Sequence, residues 1–256
     1  MTPENQETKF TASRLWAAAL EEHEQSWTRK YKYSKLNLND RSFHDLCKGE
    51  LHPGDAGKIL KEFFTEYGIA RTLPACKRVE FFEQIKQVTK RLDETTILNR
   101  MSALKKITDD SDHWKFNSKP ANPVSAASKI SWFINPTDWT MFDSYAVRAI
   151  EKLNKNSQVV ALKFPTFYSR IDCLKVPTLI QRADDLIQAD ADVKSAKLHG
   201  SRVFDKLLWI MGSHDYYKSV SRPFDEKYLN FGAGMIEKNN CTFHSHLNER
   251  WGVPIQ

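Results

Sequence analysis

The sequence is poor in the features that punctuate a chain or carry familiar chemistries. Glycine accounts for 9 of 256 residues, fewer than the turns of an all-β sandwich or barrel would need. No apolar run approaches the roughly 18 residues of a membrane span, and no charged-then-apolar leader follows Met1. A membrane partner and a signal peptide are therefore not expected, and a cytoplasmic location is. Four cysteines, Cys47, Cys76, Cys173 and Cys241, are scattered without C-x-x-C spacing. That argues against a disulfide framework or a thiolate zinc site and predicts reduced, buried thiols. There is no phosphate-binding glycine loop and no G-x-S-x-G elbow, so nucleotide hydrolysis and serine-hydrolase chemistry have no support.

What is present is ordinary globular material with a basic balance. Hydrophobic residues make up 41% and charged residues 27%, and the net charge is +6. The basic residues are dispersed along the chain, which is compatible with a polyanion such as nucleic acid but does not demand one. Apolar spacing is helical nearly everywhere. Ile59, Leu60, Phe63, Phe64 and Tyr67 form one stripe, and Val79, Phe82, Ile85, Val88 and Leu92 form another. Others run through Leu15 to Trp27, through Ile97, Met101 and Leu104, and through Ala196, Val203, Phe204, Leu207, Leu208 and Met211. Strand-like alternation is confined to short stretches, the best of them Gln158 to Lys163. The pattern predicts an all-α fold of about ten helices. With no Gly/Ser or Pro-rich linker it reads as a single unit, 1–256, or as two helical lobes with a cleft between them, residues 1–50 being the candidate for a separate lobe.

The most apolar stretch, Ser128 to Ile150 (SKISWFINPTDWTMFDSYAVRAI), carries charges that need explaining. The polar segment Thr108 to Pro123 should be a loop, followed by a helix starting near Val124 and stopping before Asn135-Pro136, because proline removes a donor and restricts its predecessor. A further helix should start at Asp143, whose carboxylate suits an N-cap. A capping carboxylate is held ionised and oriented by amide groups and the helix dipole, which also suits it to stabilise a developing cation. Lys129 lies one turn from Ser125, Ala126, Trp132 and Phe133. It can snorkel its stem along that apolar surface to water, or, partly desolvated, act as a nucleophile.

A lysine at the start of an apolar helix, a Pro-containing turn, and an aspartate capping the next helix resemble the active-site segment of the helix-hairpin-helix DNA glycosylases. The matching islands are Ser128-Lys129, Asn135-Pro136 and Phe142-Asp143-Ser144, and Ser201 to Gly212 (SRVFDKLLWIMG) resembles that group's C-terminal Asp-x-x-Leu-Trp helix. The wording is closest to bacterial 8-oxoguanine-glycosylase-like proteins, including anti-phage enzymes that excise glucosylated hydroxymethylcytosine. The hairpin and active-site segment would span about residues 95–155 of a two-lobed helical bundle with a DNA cleft. Two features depart from the family: the turn Asn117 to Pro123 has no glycine, and the Lys129-to-Asp143 interval is a few residues short.

The resemblance implies a DNA glycosylase that flips a modified base out of a duplex and cleaves its N-glycosidic bond. Asp143 and Lys129 would be the catalytic residues. Phosphate contacts would pass to Lys119 and to amides of Val124, Ser125 and Ala126 at the helix start. Trp114, Phe116, Trp132 and Phe142 are candidates for stacking on bases, against the ordinary alternative of core packing. No cofactor or metal is expected, the partner would be double-stranded DNA, and the protein a monomer.

Other clusters have simpler accounts. Cys241, His244 and His246 lack a fourth ligand at a recognised spacing and read as a polar C-terminal segment. Asp109-Asp110-Ser111-Asp112-His113 lacks the glycine and glutamate of a calcium loop, and Asp184, Asp185, Asp190 and Asp192 read as a solvated helix end. Two rivals to an enzyme remain at this level: a non-catalytic module that recognises modified or distorted DNA, and a helical scaffold in which Lys129 and Asp143 form only a local ion pair.

Overall fold

A computed structural model of the chain describes residues 11–32, 34–35, 37–49, 56–69, 73–91, 97–110, 113–114, 123–136, 140–153, 164–213, 216–237 and 242–254. The fold is all-α, with no strand among the described residues. In chain order the helices are α1 (Ala12–Thr28), α2 (Asp40–Lys48), α3 (Ala56–Glu66), α4 (Arg78–Lys90), α5 (Ile97–Thr108), α6 (Val124–Ile134) and α7 (Ser144–Leu153). They continue with α8 (Phe164–Cys173), α9 (Val176–Ala189), α10 (Ala191–Lys194), α11 (Gly200–Gly212), α12 (Tyr216–Val220), α13 (Glu226–Ile236) and α14 (Thr242–Trp251). The strand-like Gln158 to Lys163 lies outside the described residues. The chain divides into two compact units, one of residues 1–24, 144–162 and 170–256, the other of residues 25–143 and 163–169. Residues 11–24 and 25–49 thus fall in different units.

In the second unit α6 is the central element, packed by α2, α4 and α5. Nine of its side chains are buried, Val124 and Ala126 through Phe133, as expected of a helix apolar on every face. Phe133 meets Phe43 at 5.0 Å and Phe63 at 5.3 Å, both edge-on, and Phe43 stacks on Phe63. Burying each such ring contributes about 1.5–3 kcal/mol. The α3 stripe is buried as its spacing predicts, at Ile59, Leu60, Phe63 and Phe64. The α4 stripe is buried only in part: Phe82 and Ile85 are inside and Val88 is half-buried, but Val79 is exposed, Phe81 and Thr89 join the buried face, and Leu92 lies outside the described residues. Thr89 goes inside because its hydroxyl donates to Ser131 Oγ on α6 at 2.9 Å, a polar match that apolar periodicity cannot see.

The first unit is built around α11, which packs on α7 and α9. Its two end glycines meet neighbouring backbones: a Cβ on Gly200 would lie 2.4 Å from the Ile180 carbonyl, and one on Gly212 1.9 Å from the Tyr145 carbonyl. Within α11, Arg202 and Asp205 are both buried and form an ion pair. Ala196, expected on the same stripe, lies in the turn ahead of the helix.

Three further expectations change here. Asp184 and Asp190 do more than solvate a helix end: Asp184 accepts the Gly200 amide at 2.6 Å, and Asp190 caps α10. Desolvation pushes the Asp184 carboxyl above its ordinary value, against the pull of that amide. The C-terminal segment is a packed helix, not a polar tail, with Phe243, His244 and Leu247 buried. Trp16 Nε1 donates to His244 Nε2 at 3.1 Å, which uses that nitrogen as an acceptor in the core. Of the cysteines, Cys47 is buried but Cys76 and Cys173 are exposed, and Cys241 lies outside the described residues.

Candidate functional site

The segment around Lys129 and Asp143 begins with a helix start that has no side-chain cap, because its N-cap residue is Pro123. The Ala127 amide is taken by the Pro123 carbonyl at 2.9 Å. The side chains of Val124 and Ala126 are buried and Ser125 is half-buried, so the two buried residues could reach an anion only through their backbone. Lys119 and Phe116 lie outside the described residues. The helix ends at Ile134, before Asn135-Pro136, as proline geometry requires.

Lys129 is only 7% exposed. Its nitrogen lies 5.8 Å from the centroid of the Tyr67 ring, over the face, where the ring quadrupole attracts a cation. The preceding residue, Ser128, is fully buried, and its hydroxyl is a junction. It donates to the Ser125 carbonyl at 3.0 Å and accepts the Phe142 amide at 3.0 Å. That second bond ties the middle of α6 to the residue before Asp143.

Two more contacts fix the same strand of chain. Tyr168 donates its hydroxyl to the Thr140 carbonyl at 2.8 Å, and the Phe142 and Phe167 rings meet edge-on at 5.3 Å. Asp143 is half-buried and immediately precedes α7, which starts at Ser144, so that Asp143 stands at the N-cap position expected of it. The chain passes from one unit to the other at that junction. A carboxylate just ahead of a helix lies at the positive end of its dipole.

The expected aromatic residues separate. Phe142 is half-buried and adjoins Asp143. Trp114 and Trp132 are instead core residues, 1% and 0% exposed. Trp114 donates its indole N–H to the Ile107 carbonyl at 2.8 Å and packs against Phe81, and Trp132 packs against Phe133. Neither ring has a face open to a base in this conformation.

The residues that hold the site were not singled out from sequence. Tyr67 donates to Asp40 Oδ1 at 2.6 Å, and Tyr31 donates to the same oxygen at 3.1 Å. Asp40 is 1% exposed and opens α2, whose N-cap Asn39 and Ser42 form a reciprocal capping box. The Asn-x-x-Ser spacing was the available signal for that helix start. No protein family, curated protein or solved structure matches this chain.

Proposed function

We propose that this protein is a DNA glycosylase of the helix-hairpin-helix type, a two-lobed helical bundle that admits duplex DNA to a cleft and removes a modified base. The observation that carries the reading is the Ser128 hydroxyl, which joins the residue before Lys129 to the residue before Asp143. Lys129 and Asp143, 14 positions apart, each follow one end of that bond, an amine on a buried helix and a carboxylate ahead of the next. The net charge of +6 supports a polyanionic partner.

In this reading the target nucleotide leaves the duplex, with a few kcal/mol of stacking and pairing given up. As the N-glycosidic bond lengthens, the sugar becomes oxocarbenium-like, and the fixed Asp143 carboxylate stabilises that charge and orients the nucleophile. Attack by water leaves an abasic site. Attack by the neutral Lys129 amine on C1' expels the base, the departing base taking up the amine proton, and opening of the C1'–O4' bond with proton transfer from nitrogen to O4' then leaves the sugar bound as a Schiff base. The base is a bulky modified cytosine, such as a glucosylated hydroxymethylcytosine in anti-phage defence, or an oxidised guanine.

The test is incubation with duplexes carrying different modifications, followed by mass-spectrometric identification of any released base and by the same assay on Asp143→Asn. Release by the wild-type chain and its loss by at least about a hundredfold in the variant are expected. Release that persists in Asp143→Asn would remove that residue from the chemistry. Salt-dependent DNA binding with no base released from any duplex would leave the non-catalytic recognition module instead.

A further inference from the structure

The Lys129 amine is held by a device that lies outside the Lys129-to-Asp143 segment. Three elements converge on Tyr67, the residue just after α3. Its hydroxyl is anchored on the buried Asp40 carboxylate at 2.6 Å, and that carboxylate also accepts from Tyr31. Its ring is packed by Phe63 at 4.6 Å, by Phe133 edge-on at 5.8 Å and by Tyr31 edge-on at 6.4 Å. Anchored at one end and packed on several sides, the ring has one orientation, and its face is turned to the Lys129 nitrogen. Phe133 is one helical turn beyond Lys129 on α6, so the same helix face supplies the amine and one of the rings that fix its seat.

From this we infer that Tyr67 is the positioning residue for Lys129. The inference rests on the glycosylase reading, and specifically on its lysine route. A lysine stem has four rotatable bonds and does not hold an amine in one place by itself. The electron-rich ring face attracts the amine in its charged resting form, which gives up a proton to water before it attacks. The ring's position is set in turn by Asp40, so the chain Asp40, Tyr67, Lys129 passes orientation from the start of α2 to α6. Asp40 and Tyr67 act through Lys129, as positioning residues.

The step that reads this role is attack on an abasic site, which needs no knowledge of the excised base. The Lys129 nitrogen adds to the C1' aldehyde of the open sugar, water leaves, and the resulting imine is reduced by borohydride to a stable amine link between protein and DNA. The probe is a duplex with a single abasic site, and the readouts are the trapping rate at saturating protein, the dissociation constant for the duplex, and the melting temperature of each variant. The wild-type chain is expected to trap and Lys129→Gln not to. Tyr67→Leu, which removes the ring, is expected to slow trapping by about ten- to a hundredfold with duplex affinity within about twofold. Tyr67→Phe keeps the ring but loses its hydroxyl anchor on Asp40, and is expected to trap at a rate between those of the wild-type chain and Tyr67→Leu.

Trapping by Tyr67→Leu at the wild-type rate would overturn the inference. So would equal losses in the Leu and Phe variants that track their melting temperatures, since that is the signature of a merely structural ring. Base release without any trapping by the wild-type chain would also overturn it while leaving the Asp143 chemistry and the glycosylase reading standing. Neither release nor trapping would remove both.

Discussion

Replacing Ser128 by alanine is the most direct test of how the site is assembled. The substitution deletes the oxygen that accepts the Phe142 amide at 3.0 Å, while the Ser125 carbonyl loses only an additional donor. A buried amide left without a partner costs about 1–3 kcal/mol. The bond is part-buried, so the lower half of that range applies, and alanine's better helix propensity returns a few tenths of about 0.7 kcal/mol at most. The expected net loss is about 1 kcal/mol, a fall of about 2–4 °C in melting temperature for a chain of this size. Because the lost bond anchors the residue before Asp143, single-turnover base release should fall about tenfold or more, with DNA affinity nearly unchanged. Thermal unfolding followed by tryptophan fluorescence gives the first number and rapid-quench assays the second. A stability within about 0.3 kcal/mol of wild type would show that the Phe142 amide does not depend on this hydroxyl. A destabilised variant with full turnover would show that the tether is not what places Asp143.

Two further outcomes follow from the packing. In Gly212→Ala the new Cβ would sit 1.9, 2.5 and 2.8 Å from the Tyr145 carbonyl oxygen, carbonyl carbon and Cα; all are backbone, so α7 must shift. An overpacking cost of about 3 kcal/mol less about 1 kcal/mol of helix propensity leaves roughly 2 kcal/mol, or about 4–8 °C in melting temperature, and an unchanged value would contradict the backbone-to-backbone approach of α7 and α11. His44 packs against Trp27 at 5.3 Å, and desolvation, aided by Lys48 and Arg41, lowers its pKa from 6.5 to about 4. Its folded pKa lies below the unfolded one, so between pH 6.5 and 4 the unfolded chain takes up a proton that the folded chain refuses. Stability should therefore fall as pH drops through that window, by up to about 1.4 kcal/mol per unit, and urea unfolding of the wild-type chain and His44→Gln at pH 7 and 5 should show a smaller pH dependence in the variant.

The parts of this fold that can be read from sequence are those decided within one or two turns of chain. The limits of α6 follow from Pro123 ahead of it and Asn135-Pro136 behind it, and the buried face of α3 follows from the spacing of Ile59, Leu60, Phe63 and Phe64. On α4 periodicity found Phe82 and Ile85 but not Thr89, whose hydroxyl meets Ser131, 42 residues away. The same kind of long-range polar match builds the site.

Ser128 lies in a run where a serine could pass for a neutral spacer between apolar residues, and Tyr67 could pass for the last member of a core stripe. What gives each its place is a partner 14 or 27 residues distant, the Phe142 amide for one and the Asp40 carboxylate for the other. A buried hydroxyl is tolerated only where it finds such a partner. Serine, threonine and tyrosine at the apolar positions of a helical pattern are therefore the places in this sequence where a long-range contact should be sought.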